Sequence, residues 1–198
     1  MIFNSKDYYT KYINMLNYAI SSVEKNSIEA AYKLIKKKIL LKNNIFLCGN
    51  GGSAAISNHF VCDFQKGLSE IKNLQPKIIS LSSNVPLITA IANDINFSDI
   101  FLEQFKNLYN KNDLLIIISS SGKSKNIEKL VNYANKKNVE TIGLSGFDGG
   151  VLRKKSKINI HVNSNNYGII EDVHHILLHS LYQSIKVSLF KSKKKIRL

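Results

Sequence analysis

The chain has 198 residues, 44% hydrophobic and 21% charged, with ten glycines and two prolines. That balance excludes intrinsic disorder, and the length suffices for one domain burying roughly two-thirds of its unfolded surface without a disulfide or metal staple. The formal charge is +14, but the lysines fall in short groups at Lys36–Lys38, Lys136–Lys137, Lys154–Lys155 and Lys193–Lys195, suited to solvated helix faces or a tail. No nucleic-acid-binding module accompanies them, so nucleic acid is not the expected partner.

Cys48 lies in an apolar run and Cys62 in a helical pattern. Their spacing fits neither a zinc ribbon nor a secreted disulfide framework, so they need not pair and a reducing cytoplasm is expected. The opening MIFNSKDYYTKYINML has no continuous apolar segment, and no later run approaches about 18 apolar residues. Neither secretion nor a membrane span is therefore expected.

From Ser5 to about Leu41, Tyr9, Ile13, Leu16 and Ile20, then Ile28, Ala31, Ile35 and Ile39, recur at helical steps. They predict two amphipathic helices with a break near Asn26. The pattern then changes to short β-rich runs: Ile45–Cys48, Lys77–Leu81, Leu114–Ile118, Glu140–Leu144 and Ile158–Val162. Between them lie helical segments at Ala54–Gln65, Pro86–Asn93 with Ile100–Tyr109, and Ser124–Lys136, plus a short turn near Gly149–Arg153. A last helix, about Ile169–Phe190, carries Val173, Leu177, Leu181 and Ile185 before a basic tail at 191–198. Alternation of strand and helix, with unbroken runs such as LLIII, predicts a doubly wound α/β fold: a five-stranded parallel sheet flanked by helices. There is no internal repeat or linker, so residues 1–198 read as one domain: a helical pair at 1–42, an α/β core at 43–190 and the tail.

Ligands of such sheets bind beyond the carboxyl ends of the strands. After the first strand, Gly49-Asn50-Gly51-Gly52-Ser53 runs straight into a helix, where glycines let backbone amides approach an anion. A dinucleotide fingerprint would need an acidic residue after the second strand, where Ser80-Leu81-Ser82-Ser83-Asn84 stands instead. After the third strand, Ser119-Ser120-Ser121-Gly122-Lys123-Ser124 enters another helix. It is not a P-loop, because the first glycine of that motif is replaced by Ile117. Helix-capping serines need no ligand, but two such loops after neighbouring strands point to phosphate.

His59 and Asp63 sit four apart on one helix face, and Glu171 and His179 sit eight apart on one face of the last helix. Two imidazoles and two carboxylates make either an acid/base set or a four-ligand site for a divalent ion such as zinc. His161 and His175 read as packed imidazoles, and His174 stays unassigned.

Taken in order, GNGGSAAISNHF, AIANDINF, ISSSGKSKN, TIGLSGFDGG and the Glu-x-x-His-x-x-x-x-His of the last helix resemble the sugar isomerase (SIS) domain family. Within it the chain resembles the phosphoheptose isomerases over essentially its whole length. The resemblance implies a flavodoxin-like three-layer sandwich, with the leading helices used for oligomer packing in a homotetramer whose sites lie between subunits. It implies interconversion of D-sedoheptulose 7-phosphate and D-glycero-D-manno-heptose 7-phosphate, leading to the heptose of lipopolysaccharide or capsule. Ser119, Ser120, Ser121 and Ser124 match its phosphate-binding serines, Asn50, Gly51, Gly52 and Ser53 its first substrate loop, and Asn93 and Asp94 its sugar-hydroxyl loop. His59, Asp63, Glu171 and His179 match its zinc ligands, with Asp63, Glu171 and His179 as catalytic groups. Asp63 stands where the family carries Glu, and Glu171 where it carries Gln. A relative in this branch is a scaffold associated with a replication initiator, so a non-catalytic role and another ketose phosphate are the alternative readings.

Overall fold

The structure, a computed structural model, describes residues 4–71 and 74–193, with side chains described up to residue 190. The strands are β1 (Asn44–Cys48), β2 (Lys77–Ser80), β3 (Leu114–Ile118), β4 (Glu140–Ser145) and β5 (Ile158–His161). All pair in parallel, in the order β2-β1-β3-β4-β5. The helices are α1 (Ser5–Ser21), α2 (Lys25–Leu40), α3 (Gly52–Gly67), α4 (Val85–Asp94), α5 (Leu102–Leu108), α6 (Lys125–Lys136), α7 (Gly150–Lys155) and α8 (Tyr167–Lys193), with a 3-10 turn at Phe97–Asp99.

Side chains alternate across a strand, and this divides the core in two. Ile45 and Leu47 of β1 and Leu114, Ile116 and Ile118 of β3 pack beneath α1, α2, α3 and α8. Phe46, Cys48, Leu115 and Ile117 face the other way, under α4 to α7. All five residues of β3 are buried, which is why that strand reads as an unbroken apolar run. Burial pushes the Cys48 thiol up, and both cysteines are free.

The break between the leading helices falls at Ser22–Glu24, earlier than Asn26, which lies in the first turn of α2. The segment expected as a turn near Gly149–Arg153 is the short helix α7, because Gly149 at φ 80° lets the chain reverse into it and Leu152 drops into the core. Helix α8 starts two residues before Ile169 and takes in the beginning of the expected tail. The rest of that tail, from residue 194, lies outside the described residues. No described helix is long and apolar enough to cross a membrane.

Candidate active site

The chain leaves β1 toward β2 on one side and returns to β3 on the other. The loops after β1 and β3 therefore diverge and leave a crevice at the carboxyl ends of these strands, the switch point of a doubly wound sheet. Both glycine- and serine-rich loops stand there. The side-chain amides of Asn50 and Asn126 bridge them, each donating to the other's oxygen at 3.0 and 2.9 Å. Ser82 after β2 pins the first loop, donating to the Gly49 carbonyl at 2.9 Å and accepting from the Gly49 amide at 3.1 Å.

In the second loop, Gly122 at φ 63° turns so tightly that a Cβ there would strike the backbone of Gly149. Its amide is held at 3.2 Å by the Ser119 hydroxyl. The Ser120 hydroxyl is buried without a partner among the described residues. Ser124 caps α6 with its backbone alone, and its side chain makes no cap hydrogen bond. These two hydroxyls are the ones not spent on the loop itself. A cavity of about 480 Å³ opens beside the loops, lined by Asn50, Ser124, Asn126 and Lys129 together with Asn96 and Phe97. That size suits a small polar ligand.

Helices α3 and α8 lie side by side on one face of the sheet, and matching positions ascend together. Gly52 meets Glu171, His59 meets His175 and His179, Asp63 meets His179, and Phe64 meets Tyr182. The helices are thus parallel, and residues distant in sequence share one seam.

Within the seam the Nε2 atoms of His59 and His179 are 3.0 Å apart. Asp63 spans them, with one carboxylate oxygen 3.5 Å from His59 Nε2 and the other 3.4 Å from His179 Nε2. Donor atoms on a tetrahedral zinc ion, bonded at about 2.0–2.1 Å, stand about 3.3 Å from each other. The donor chemistry and spacing of these three residues fit such an ion. The His59 and His179 side chains are 45% and 42% exposed, so the cluster is accessible from solvent in the protomer.

Glu171, the fourth member of the expected set, lies at the start of the seam. Its carboxylate covers Gly52, where a Cβ would overlap it. Burial, reinforced by the neighbouring charge of Asp172, raises its pKa. It therefore sits over the first loop and the amino end of α3. Asn93 and Asp94 are exposed at the end of α4, the Asn93 amide donating to Asp94 at 2.8 Å.

One histidine departs from its sequence reading, and another, left unassigned, finds its place. His175, read as a packed imidazole, belongs to the cluster: its ring centre is 4.8 Å from that of His59 and 4.5 Å from that of His179. Four-residue spacing between His175 and His179 was the available signal, but which face of α8 meets α3 is a tertiary fact. His174 is wholly buried; its Nε2 lies 3.3 Å from the Ser145 carbonyl, and burial pushes its pKa down to about 4. It is a neutral group in the core. His161 lies outside the seam, at the end of β5, with Nδ1 3.0 Å from the Ser145 hydroxyl. Asn126 and Lys129 were not singled out from sequence, since nothing local marks the face of α6 that meets the first loop.

Comparison with known proteins identifies the family. The SIS domain family matches residues 7–146. The phosphoheptose isomerase of Colwellia psychrerythraea is 37% identical over 169 residues, covering 83% of this chain and 85% of the relative. A phosphoheptose isomerase from Francisella tularensis superposes with a TM-score of 0.85 at 28% identity, covering 93% of this chain and 99% of that one. The Neisseria gonorrhoeae phosphoheptose isomerase follows at 0.83 and 26% identity, covering 92% and 96%. The chain belongs to the SIS domain family, in its phosphoheptose isomerase branch.

Proposed function

We propose that this chain is an aldose–ketose isomerase interconverting D-sedoheptulose 7-phosphate and D-glycero-D-manno-heptose 7-phosphate. One observation carries the reading: a carboxylate spans two imidazoles from different helices in the seam whose amino end adjoins the first loop at the β1/β3 crevice. Proton transfer between adjacent carbons needs such a set, and a phosphorylated sugar needs a hydroxyl- and amide-lined anchor.

Ser119, Ser120, Ser121 and Ser124 hold the phosphate, with the free hydroxyls of Ser120 and Ser124 supporting this role. Binding energy from this remote group orients the reacting carbons. Asn50, Gly51, Gly52 and Ser53 receive the carbonyl end, and Asn93 and Asp94 take sugar hydroxyls. A carboxylate, Asp63 or Glu171, removes the proton from C2 of the aldose and returns it at C1. His179 carries the hydroxyl proton from O2 to O1, so the enediol between them forms and collapses without net loss of a proton. The raised pKa of Glu171 brings its proton affinity closer to neutrality, which suits reversible transfer. His59, Asp63 and His179 would hold a divalent ion, zinc by donor type, which when bound polarises the carbonyl and stabilises enediolate charge.

The whole chain serves as one SIS unit in a cytoplasmic homotetramer, its product supplying heptose for lipopolysaccharide or capsule. Exposed Tyr8, Tyr9 and Tyr18 on α1, and Ile176 and Val187 on α8, support burial of these faces by neighbouring copies.

The test is incubation with a panel of ketose phosphates in deuterium oxide, with and without a chelator. The expected result is the heptose aldose labelled at C2, formed from sedoheptulose 7-phosphate in preference to the others. Absence of product and of exchange with every ketose phosphate would refute an isomerase.

A further inference from the structure

We propose that His175 is a metal-binding residue, completing a site of three imidazoles and one carboxylate with His59, His179 and Asp63. The inference rests on the reading of this seam as a cation-assisted isomerase site, and it changes that site's composition.

The geometry supplies the argument. One ligand-capable atom from each of His59, His175 and His179 lies within 4.8 Å of the others. The His175 ring meets His59 edge to face, at 73°, and lies nearly parallel to His179, at 27°. Its Nε2 is shut off from solvent and has no hydrogen-bond partner among the described residues. Leaving such an atom unpaired is unfavourable, and a cation held by the three imidazoles would relieve it. The 3.0 Å approach of the His59 and His179 Nε2 atoms likewise needs a proton or a cation between two lone pairs. Donors on one tetrahedral zinc ion stand about 3.3 Å apart, so the His175 ring, with a ligand atom within 4.8 Å of those of the other two, closes on the ion by a change of side-chain torsion.

The fourth expected donor has meanwhile gone elsewhere: the Glu171 carboxylate packs over Gly52 at the first loop. Glu171, His175 and His179 occupy successive turns of one α8 stripe. If His175 takes the coordination place, Glu171 is left one turn away, facing the substrate loop, as the carboxylate that moves the carbon proton. Three neutral imidazoles and one carboxylate leave a divalent site with net positive charge, whereas two carboxylates would neutralise it. More positive charge is better suited to stabilising an enediolate.

The experiment measures zinc affinity of the purified full chain by competition with a chromophoric chelator. It counts imidazoles on the bound ion by X-ray absorption at the zinc edge, for wild type, His175→Ala, His175→Gln and Glu171→Gln. Circular dichroism checks that each variant is folded. The expected result is three imidazoles in wild type and two in His175→Ala and His175→Gln, with affinity falling at least about 100-fold. Glu171→Gln should bind zinc within about threefold of wild type while losing solvent exchange at carbon.

Two imidazoles in wild type, or unchanged affinity in both His175 variants, overturns the assignment and leaves the isomerase reading standing. No zinc binding by wild type also overturns it. Three imidazoles in a chain that isomerises no ketose phosphate supports the assignment and removes the functional reading.

Discussion

Replacing Gly52 by alanine separates positioning from folding at this site. A Cβ at Gly52 would stand 2.6 Å from Cδ and 2.8 Å from Oε1 of Glu171. Carbon–carbon contacts are comfortable near 3.5 Å, so the carboxylate must withdraw by about 1 Å. The obstacle is the end of a flexible side chain, and Gly52 is exposed at the first position of α3 without a positive φ. Stability should therefore be unchanged or rise by up to about 1 kcal/mol, because alanine has less chain entropy to lose. If Glu171 is the carboxylate that moves the carbon proton, a displacement of about 1 Å should cost about 100-fold in kcat, or about 2.7 kcal/mol of barrier. Stopped assays of heptose phosphate formation give kcat, deuterium uptake isolates the proton step, and a thermal melt reports stability. A Gly52→Ala chain with kcat within threefold of wild type would refute a role for Glu171 at this position.

Alanine at Asp63, Glu171 or His179 should each lower turnover at least about 100-fold if these groups carry protons; near-normal kcat for Asp63→Ala would leave the carbon proton to Glu171. Ser124→Ala should raise KM about 10-fold through loss of one hydrogen bond to a charged phosphate. It should leave the melting temperature nearly unchanged, since the Ser124 side chain makes no cap bond; a large drop in melting temperature with unchanged KM would contradict this. Lys157 and Lys38 hold the Glu140 carboxyl at about 2 against its ordinary 4.5. A depressed carboxylate stabilises the fold fully above the unfolded value, and that contribution fades as pH falls from about 4.5 through about 2. Urea titrations should then show Glu140→Gln less stable than wild type at pH 6, with the gap closing toward pH 2.

Much of this molecule was readable from one dimension because its signals are local. The five strand segments, the two leading helices and both glycine- and serine-rich loops follow from side-chain periodicity and from glycine and serine placement, which act within a few residues. The ordered motifs carried the family in the same way. Tertiary packing alone decided what depends on how distant segments meet. The strand order β2-β1-β3-β4-β5 sets the crevice between the first and third loops. The parallel seating of α3 against α8 brings His59 and Asp63 to His179, separated by over a hundred residues. That contact also draws in His175 and leaves Glu171 over Gly52, although both share the His179 stripe. A helical stripe specifies which residues travel together, but only the neighbouring helix determines which of them joins the imidazole cluster and which lies over the first loop.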